Sequence, residues 1–222
     1  MNIIAIETAT TACGIGVQTA DAQLVRIIDE DRQHTEALGE GLQALLREVS
    51  ISAKDIDRVV VDHGPGLFTG LRVGIATAIA LAQGVGAQLV GVSSLELLAH
   101  GAKDGGVTGK VLCAVDGRRG EIFVQTFALD DTVTPLSDPV VTRASVVANE
   151  WSSLGEFTLT GDGIIRYQDD FAPVGAPHYR QAVPPLSSAL QLAALRPAQS
   201  TIVPLYLREA DAVANFSTRE RQ

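Results

Sequence analysis

The sequence predicts an α/β fold built on a mixed sheet and divided into two halves. Three observations carry this. Apolar runs at Asn2–Glu7, Ala12–Thr19 and Ala22–Ile28 are joined by short polar turns, the pattern of an antiparallel meander. From Thr35 onward, helical and strand-like patterns alternate. After a glycine-rich stretch, Gly101–Gly109, the chain restarts with the strand–acid–turn–strand pattern with which it began.

The elements follow in order. Asp29-Glu30-Asp31-Arg32 reads as a solvated link. Thr35–Val49 is an amphipathic helix with Leu38, Leu42, Leu45, Leu46 and Val49 on one face and Ala37, Gly41 and Ala44 beside them. Arg58-Val59-Val60-Val61 is a buried strand, and Gly64-Pro65-Gly66 a turn. The helix that follows, to Gly86, carries Gly70, Gly74, Ala78 and Ala82 every four residues. A helical Gly costs about 1 kcal/mol relative to Ala, so such a row is expected to admit a close neighbour. The sequence permits packing within the same domain, a helix of another chain, or a phosphate at the glycine-rich turn. The spacing G-x-G-x-x-x-G matches no nucleotide motif. Gln88–Val92 reads as a strand and Ser94–His100 as a serine-capped helix. The second half opens with strands Lys110–Val115 and Glu121–Leu129. Asp130–Thr142 reads as a loop or edge, Arg143–Ser153 as a short helix, Phe157–Thr160 as a strand and Ser187–Leu195 as a helix. Pro204–Arg208 is extended or turning, and Asp211–Gln222 a frayed tail.

Composition narrows the chemistry. The 222 residues are 46% hydrophobic but only 5% aromatic, so Ala, Val, Leu and Ile must fill the core. A net charge of −9, with no basic cluster longer than Arg118-Arg119, makes the chain a poor binder of tRNA or DNA on its own. Cys13 and Cys113 sit in strand-like runs and read as buried thiols; the first residues do not resemble a signal peptide, so a cytoplasmic protein is expected. Val73–Leu95 carries no charge and is long enough to span a membrane, but Gly84 and Gly86 break it, and a buried helix followed by a strand is the expectation. No histidine pair or cysteine set has metal-ligand spacing, and no nucleophile elbow is present. Glu7 and Asp116 end strands beside polar turns, where acids of kinase-like duplicated folds handle a metal-bound phosphate; a capped turn explains them equally. Arg72 reads as a solvated tip or as the partner of another protein's carboxylate.

Several blocks together resemble the TsaB (YeaZ) family: Ala5-Ile6-Glu7-Thr8-Ala9-Thr10, His34-Thr35, the stretch Gly64-Pro65-Gly66-Leu67-Phe68-Thr69-Gly70-Leu71-Arg72-Val73-Gly74, Gly91-Val92-Ser93-Ser94-Leu95, Ala114-Val115-Asp116-Gly117-Arg118 and Tyr206-Leu207-Arg208. The resemblance runs along nearly the whole chain, with Glu7 where the family usually has Asp. It implies a two-lobed actin/Hsp70-like ATPase (ribonuclease H-like) fold with mixed sheets, an N-terminal lobe at 1–104 that carries the dimerisation helices, and a reduced C-terminal lobe at 105–222. It also implies the non-catalytic subunit of the machinery that makes threonylcarbamoyladenosine in tRNA. The catalytic paralogue of that machinery, TsaD, holds a metal with H-x-x-x-H, where this chain has His34 and Leu38. The implied partners are TsaD, the small ATPase TsaE, tRNA only through the complex, and a second copy when TsaD is absent. No cofactor, catalytic residue, metal ligand or membrane is implied, apart from a possible nucleotide at the partner interface. Pairing is expected through His34, Leu38, Gly41, Leu42 and Leu45 of the first helix and Phe68, Thr69, Gly70, Arg72, Val73, Gly74, Thr77 and Ala78 of the second. The competing reading is an ATP-dependent phosphotransferase or a peptidase of the same fold.

Overall fold

A computed structural model describes residues 1–28, 34–150 and 156–208, with the side chains of 34–37 outside the description. The first sheet contains β1 (Ile3–Glu7), β2 (Cys13–Gln18), β3 (Gln23–Ile28), β4 (Arg58–Asp62) and β5 (Gln88–Val92) in the order β3-β2-β1-β4-β5. β1, β2 and β3 are antiparallel neighbours, whereas β4 and β5 run parallel to β1. The second sheet contains β6 (Gly109–Arg118), β7 (Glu121–Leu129), β8 (Val133–Pro135), β10 (Phe157–Thr160) and β11 (His178–Tyr179). Its order, β8-β7-β6-β10-β11, repeats the first with the same directions. The short β9 (Val140–Arg143) pairs beside β8 on β7. The half-repeat in the sequence is therefore a repeat of topology.

Both faces of the first sheet are covered, which is why its strands read as continuous apolar runs. Ile4 and Ile6 of β1 face α1 (His34–Glu48) and α2 (Phe68–Val85), while Ile3 and Ala5 face α7 (Leu186–Leu195). Gly14 and Gly16 of β2 let Leu186 and Leu190 of α7 come close; a Cβ on them would sit 2.7 and 3.2 Å from those side chains. The helix α3 (Ser94–Asp104) joins the two sheets. Leu97 enters the α7 layer, while Leu95, Leu98, Ala99 and Ala102 pack against Val111, Cys113 and Val115 of β6. The far face of the second sheet is closed by α4 (Ala144–Glu150), α5 (Asp162–Arg166) and α6 (Gln168–Phe171) through Val147, Ile164 and Phe171.

The last part of the chain returns to the first sheet. Besides α7, Gln199 bridges to Leu89, and the Leu205 N–H donates to the His63 carbonyl at 2.8 Å. The change of sheet falls between α3 and β6, and α7, Gln199 and Leu205 pack back on the first sheet. The short elements β8, β9, β11, α5 and α6 lie where the sequence shows no clear periodicity. The link 29–32, the tail from 209 and the end of the helix read at Arg143–Ser153 lie outside the described residues.

The row Gly70, Gly74, Ala78 and Ala82 is buried, and it is covered by this chain itself. A Cβ on Gly70 would lie 1.9 Å from the Thr8 carbonyl oxygen, and one on Gly74 would lie 2.2 Å from Thr8 Oγ1. Thr8 Oγ1 donates to the Gly70 carbonyl at 2.8 Å, locking the contact. Gly70→Ala is accordingly expected to destabilise by about 3 kcal/mol, lowering the melting temperature by roughly 6–12 °C. At Gly84 of the same helix a Cβ meets nothing within 4 Å. Gly84→Ala should raise stability by about 0.5 kcal/mol, measured by the same thermal denaturation.

Candidate functional site: paired acids and an outward helix face

In each sheet two neighbouring parallel strands carry an acid at or near their C-terminal ends. Glu7 closes β1 and Asp62 closes β4, with Ile6 opposite Val61 in the parallel register, and both acids are buried. Glu7 Oε1 accepts from the backbone N–H groups of Ala9 (2.8 Å) and Thr10 (3.2 Å). Asp62 Oδ1 accepts from the Gly64 N–H and from Ser94 Oγ, each at 2.7 Å. Ser94 thus serves Asp62 instead of capping its helix; Ser93 holds the N-cap position without a side-chain bond. The second oxygens, Glu7 Oε2 and Asp62 Oδ2, have no other partner. Burial, then the charge of Asp62 and a side-chain hydrogen bond to it, raises the Glu7 pKa well above the usual carboxylate value. Burial raises Asp62 as well, but its hydrogen bonds from Glu7, Gly64 and Ser94 favour the ionised form. Burial thus disfavours the ionised form of both carboxyls, and the charge of Asp62 adds to the effect on Glu7.

The second sheet repeats the arrangement with different neutralisation. Asp116 of β6 donates its backbone N–H to Oδ1 of Asp162, just beyond β10, at 2.9 Å. Arg118 N–H and the Tyr167 hydroxyl donate to Asp116 Oδ1 at 2.9 and 3.1 Å. Asp116 Oδ2 pairs with Arg118 Nη1 at 3.4 Å and Arg166 Nε at 3.2 Å. Burial pushes the Asp162 carboxyl up to about 6. Glu7 and Asp116, the acids marked in the sequence, are thus each paired with a second acid of their own sheet. Asp62 ends β4 two residues before Gly64, and Asp162 lies between Gly161 and Gly163 two residues beyond β10; the sequence alone assigns neither a role.

The turn after β1 is sealed from above. A Cβ on Gly66 would lie 2.1 Å from the Ala9 carbonyl oxygen, and the Leu67 N–H donates to that oxygen at 2.7 Å. The glycine-rich turn closes over Thr8–Thr10, so its glycines serve contact within the chain rather than a phosphate.

The residues expected at a partner interface divide into two groups. Leu38 and Leu45 are core residues, each 1% exposed. Gly41 is buried against Ile28 and Ile15, and Gly70, Gly74 and Ala78 face β1. The small or apolar side chains at these six positions accommodate the chain's own sheet. Phe68, Thr69 and Arg72 are exposed, and Leu42, Val73 and Thr77 half-buried. The side chain of His34 lies outside the described residues. The outward small residues are instead Ala76, Ala80 and Gly84 on α2 and Gly39 on α1. Ala76 stands two residues beyond Gly74, roughly 200° round the helix. Only a third of α2 is buried, and by length and composition alone it could cross a membrane. Its inner side is locked to Thr8, which leaves the outer side as the surface in need of cover.

Residues 28–152 match the family model of TsaD, tRNA N6-adenosine threonylcarbamoyltransferase. A solved structure from Pseudomonas aeruginosa, described as an uncharacterized protein with similarity to peptidase YEAZ, superposes with a TM-score of 0.82 at 24% identity, over 93% of this chain and 99% of that one. The chain is thus an α/β protein with two mixed sheets of one topology, sharing the fold of that structure and matched by the TsaD family model. The tRNA threonylcarbamoyladenosine biosynthesis protein TsaB of Escherichia coli (strain K12) is 33% identical over 165 residues, 70% of this chain and 71% of that protein. TsaB of Bacillus subtilis (strain 168) is 28% identical over 152 residues, 68% of this chain and 64% of that protein. The chain belongs to the TsaB (YeaZ) family.

The Glu7–Asp62 pair makes stability depend on pH. Below the unfolded pKa of Glu7, near 4.5, folded and unfolded chains both carry its proton. Above that value the unfolded chain releases the proton and the folded chain keeps it, so stability falls as pH rises until the folded pKa is passed. Glu7→Gln keeps a donor and an acceptor without the ionisation. The variant should melt close to the unaltered protein at pH 4 and progressively above it towards pH 8, as followed by circular dichroism.

Proposed function

We propose that this chain is the non-catalytic subunit that pairs with TsaD. In that role it supports N6-threonylcarbamoylation of the adenosine next to the anticodon in tRNAs reading codons that begin with A. The observation that carries the reading is α2: its inner side is closed on β1, and its outer side presents Ala76, Ala80 and Gly84, small side chains that let another helix approach closely. The matching surface belongs to TsaD, whose family model covers α1 and α2 of this chain. When TsaD is absent, the same surface supports a homodimer. TsaE joins the pair, tRNA is held through the complex, and the protein works in the cytoplasm without a membrane. Any nucleotide sits at the interface with the partner rather than in this chain alone.

The acid pairs support a subunit without catalysis of its own. One is sealed beneath the 64–70 turn, and the other is occupied by Arg118 and Arg166. Neither offers the free carboxylates beside an open glycine loop that a phosphotransferase of this fold requires, and a peptidase would need a nucleophile or a metal.

Ala80→Trp tests the reading, because Ala80 is exposed and the substitution leaves the core untouched. The variant should melt like the unaltered protein but bind TsaD about 100-fold more weakly, with loss of threonylcarbamoyladenosine in a reconstituted reaction. Sustained ATP turnover by the isolated chain with magnesium, abolished by Asp116→Asn, would instead establish an enzyme.

A further inference from the structure

Where the last described segment crosses the start of α2, three side chains from distant parts of the chain form one exposed cluster. The rings of Phe68 and Tyr206 stack with centroids 5.1 Å apart and an interplanar angle of 28°. The Arg72 guanidinium lies over the Phe68 ring, 3.7 Å from its centroid, and Arg72 Nε donates to the Tyr206 hydroxyl oxygen at 3.0 Å. Phe68 and Tyr206 remain 38% and 43% exposed. Among the described residues no carboxylate pairs with Arg72.

The segment bearing Tyr206 is tied down on both sides. Before it, the Leu205 N–H donates to the His63 carbonyl at 2.8 Å. After it, Arg208 Nη1 donates to Glu121 Oε2 at 2.7 Å and to the Gly117 carbonyl at 3.2 Å, both on the β6–β7 hairpin. Tyr206 is thereby fixed relative to both sheets before anything binds.

This arrangement defines a ligand chemistry. An arginine held at Nε and stacked on a ring has already lost most of its side-chain freedom, and its terminal amino groups are left for a two-oxygen acceptor. The Tyr206 oxygen accepts from Arg72, so the hydroxyl proton can be given outward. Both donors suit a carboxylate. A nucleic-acid backbone would find a single unpaired cation here, on a chain of net charge −9. The cluster also continues the outward face of α2 through Thr69, Val73 and Ala76. We infer that Phe68, Arg72 and Tyr206 form a preorganised anchor for a carboxylate side chain of the protein docked on α2, with Tyr206 the positioning residue that aims Arg72. The inference rests on the partner reading above and names the chemistry at one end of that interface.

The test is titration calorimetry of the full chain against TsaD from the same genome, with melting curves of each variant. Tyr206→Phe keeps the stack and removes the hydroxyl; it should weaken binding about tenfold without a change in melting temperature. Arg72→Ala should weaken it by at least as much, Arg72→Glu further still through like charge, and Arg72→Lys should not restore it. In the Arg72→Ala background, Tyr206→Phe should have no further effect, which a purely structural Tyr206 would not produce. If the unaltered chain binds TsaD and Tyr206→Phe or Arg72→Glu binds equally tightly, the anchor is overturned while the partner reading stands. If the unaltered chain does not bind TsaD, both are overturned. Binding of tRNA by the isolated chain that is lost in Arg72→Ala would overturn the protein carboxylate in favour of a phosphate.

Discussion

The structure depends on one close approach: the backbone of α2 at Gly70 and Gly74 lies directly against Thr8 at the end of β1. No side chain fits between them, since a single Cβ would overlap the Thr8 carbonyl or hydroxyl oxygen. The Thr8 hydroxyl bonds back to the Gly70 carbonyl, so a polar group at the tightest point is satisfied rather than stranded. Two consequences follow. The turn that could have opened towards a phosphate is closed over the first strand, and the helix is oriented so that Ala76, Ala80 and Gly84 point away from the sheet.

The duplicated topology carries the same lesson in its acids. Both sheets bring two carboxyl groups together near the C-terminal ends of two neighbouring parallel strands, and a buried acid pair must be neutralised. In the first sheet burial and the charge of Asp62 raise the Glu7 carboxyl and so disfavour its ionised form. In the second sheet Arg118 and Arg166 neutralise the pair, with Tyr167 supplying a further hydrogen bond. Two copies of one architecture have reached electrostatic closure by different routes.

Much of the fold was legible because its strands are buried on both faces and its long helices have strong periodicity. Ile3–Glu7, Arg58–Asp62 and Gln88–Val92 are uninterrupted apolar runs, and the restart at β6 shows as a repeat of strand, acid, turn and strand. The site was less legible. Spacing showed that α2 has a close-approach side, but a glycine row reads alike whether it meets another protein or the chain's own Thr8, and Ala76–Ala80–Gly84 is as small as Gly70–Gly74–Ala78. Leu38 and Leu45 could not be placed inside or outside until β2 and β3 were known to lie under α1. Asp62, Asp162 and Tyr206 matter through contacts with residues far away in sequence, which no local pattern encodes. The coordinates show which side of the helix the chain's own sheet covers and which side stays exposed.

The central claim is that α2 meets its own sheet with one side and another protein with the other. Cys13 and Cys113 are both buried, so a thiol introduced by Ala76→Cys would be the one accessible to a maleimide probe. The most direct measurement is the labelling rate of that variant with and without TsaD, beside a control thiol introduced by Ser137→Cys on the second sheet. The account requires fast labelling of both free proteins and strong protection of Ala76→Cys alone when TsaD is added. Equal labelling of Ala76→Cys in the presence and absence of a demonstrably bound TsaD would contradict it.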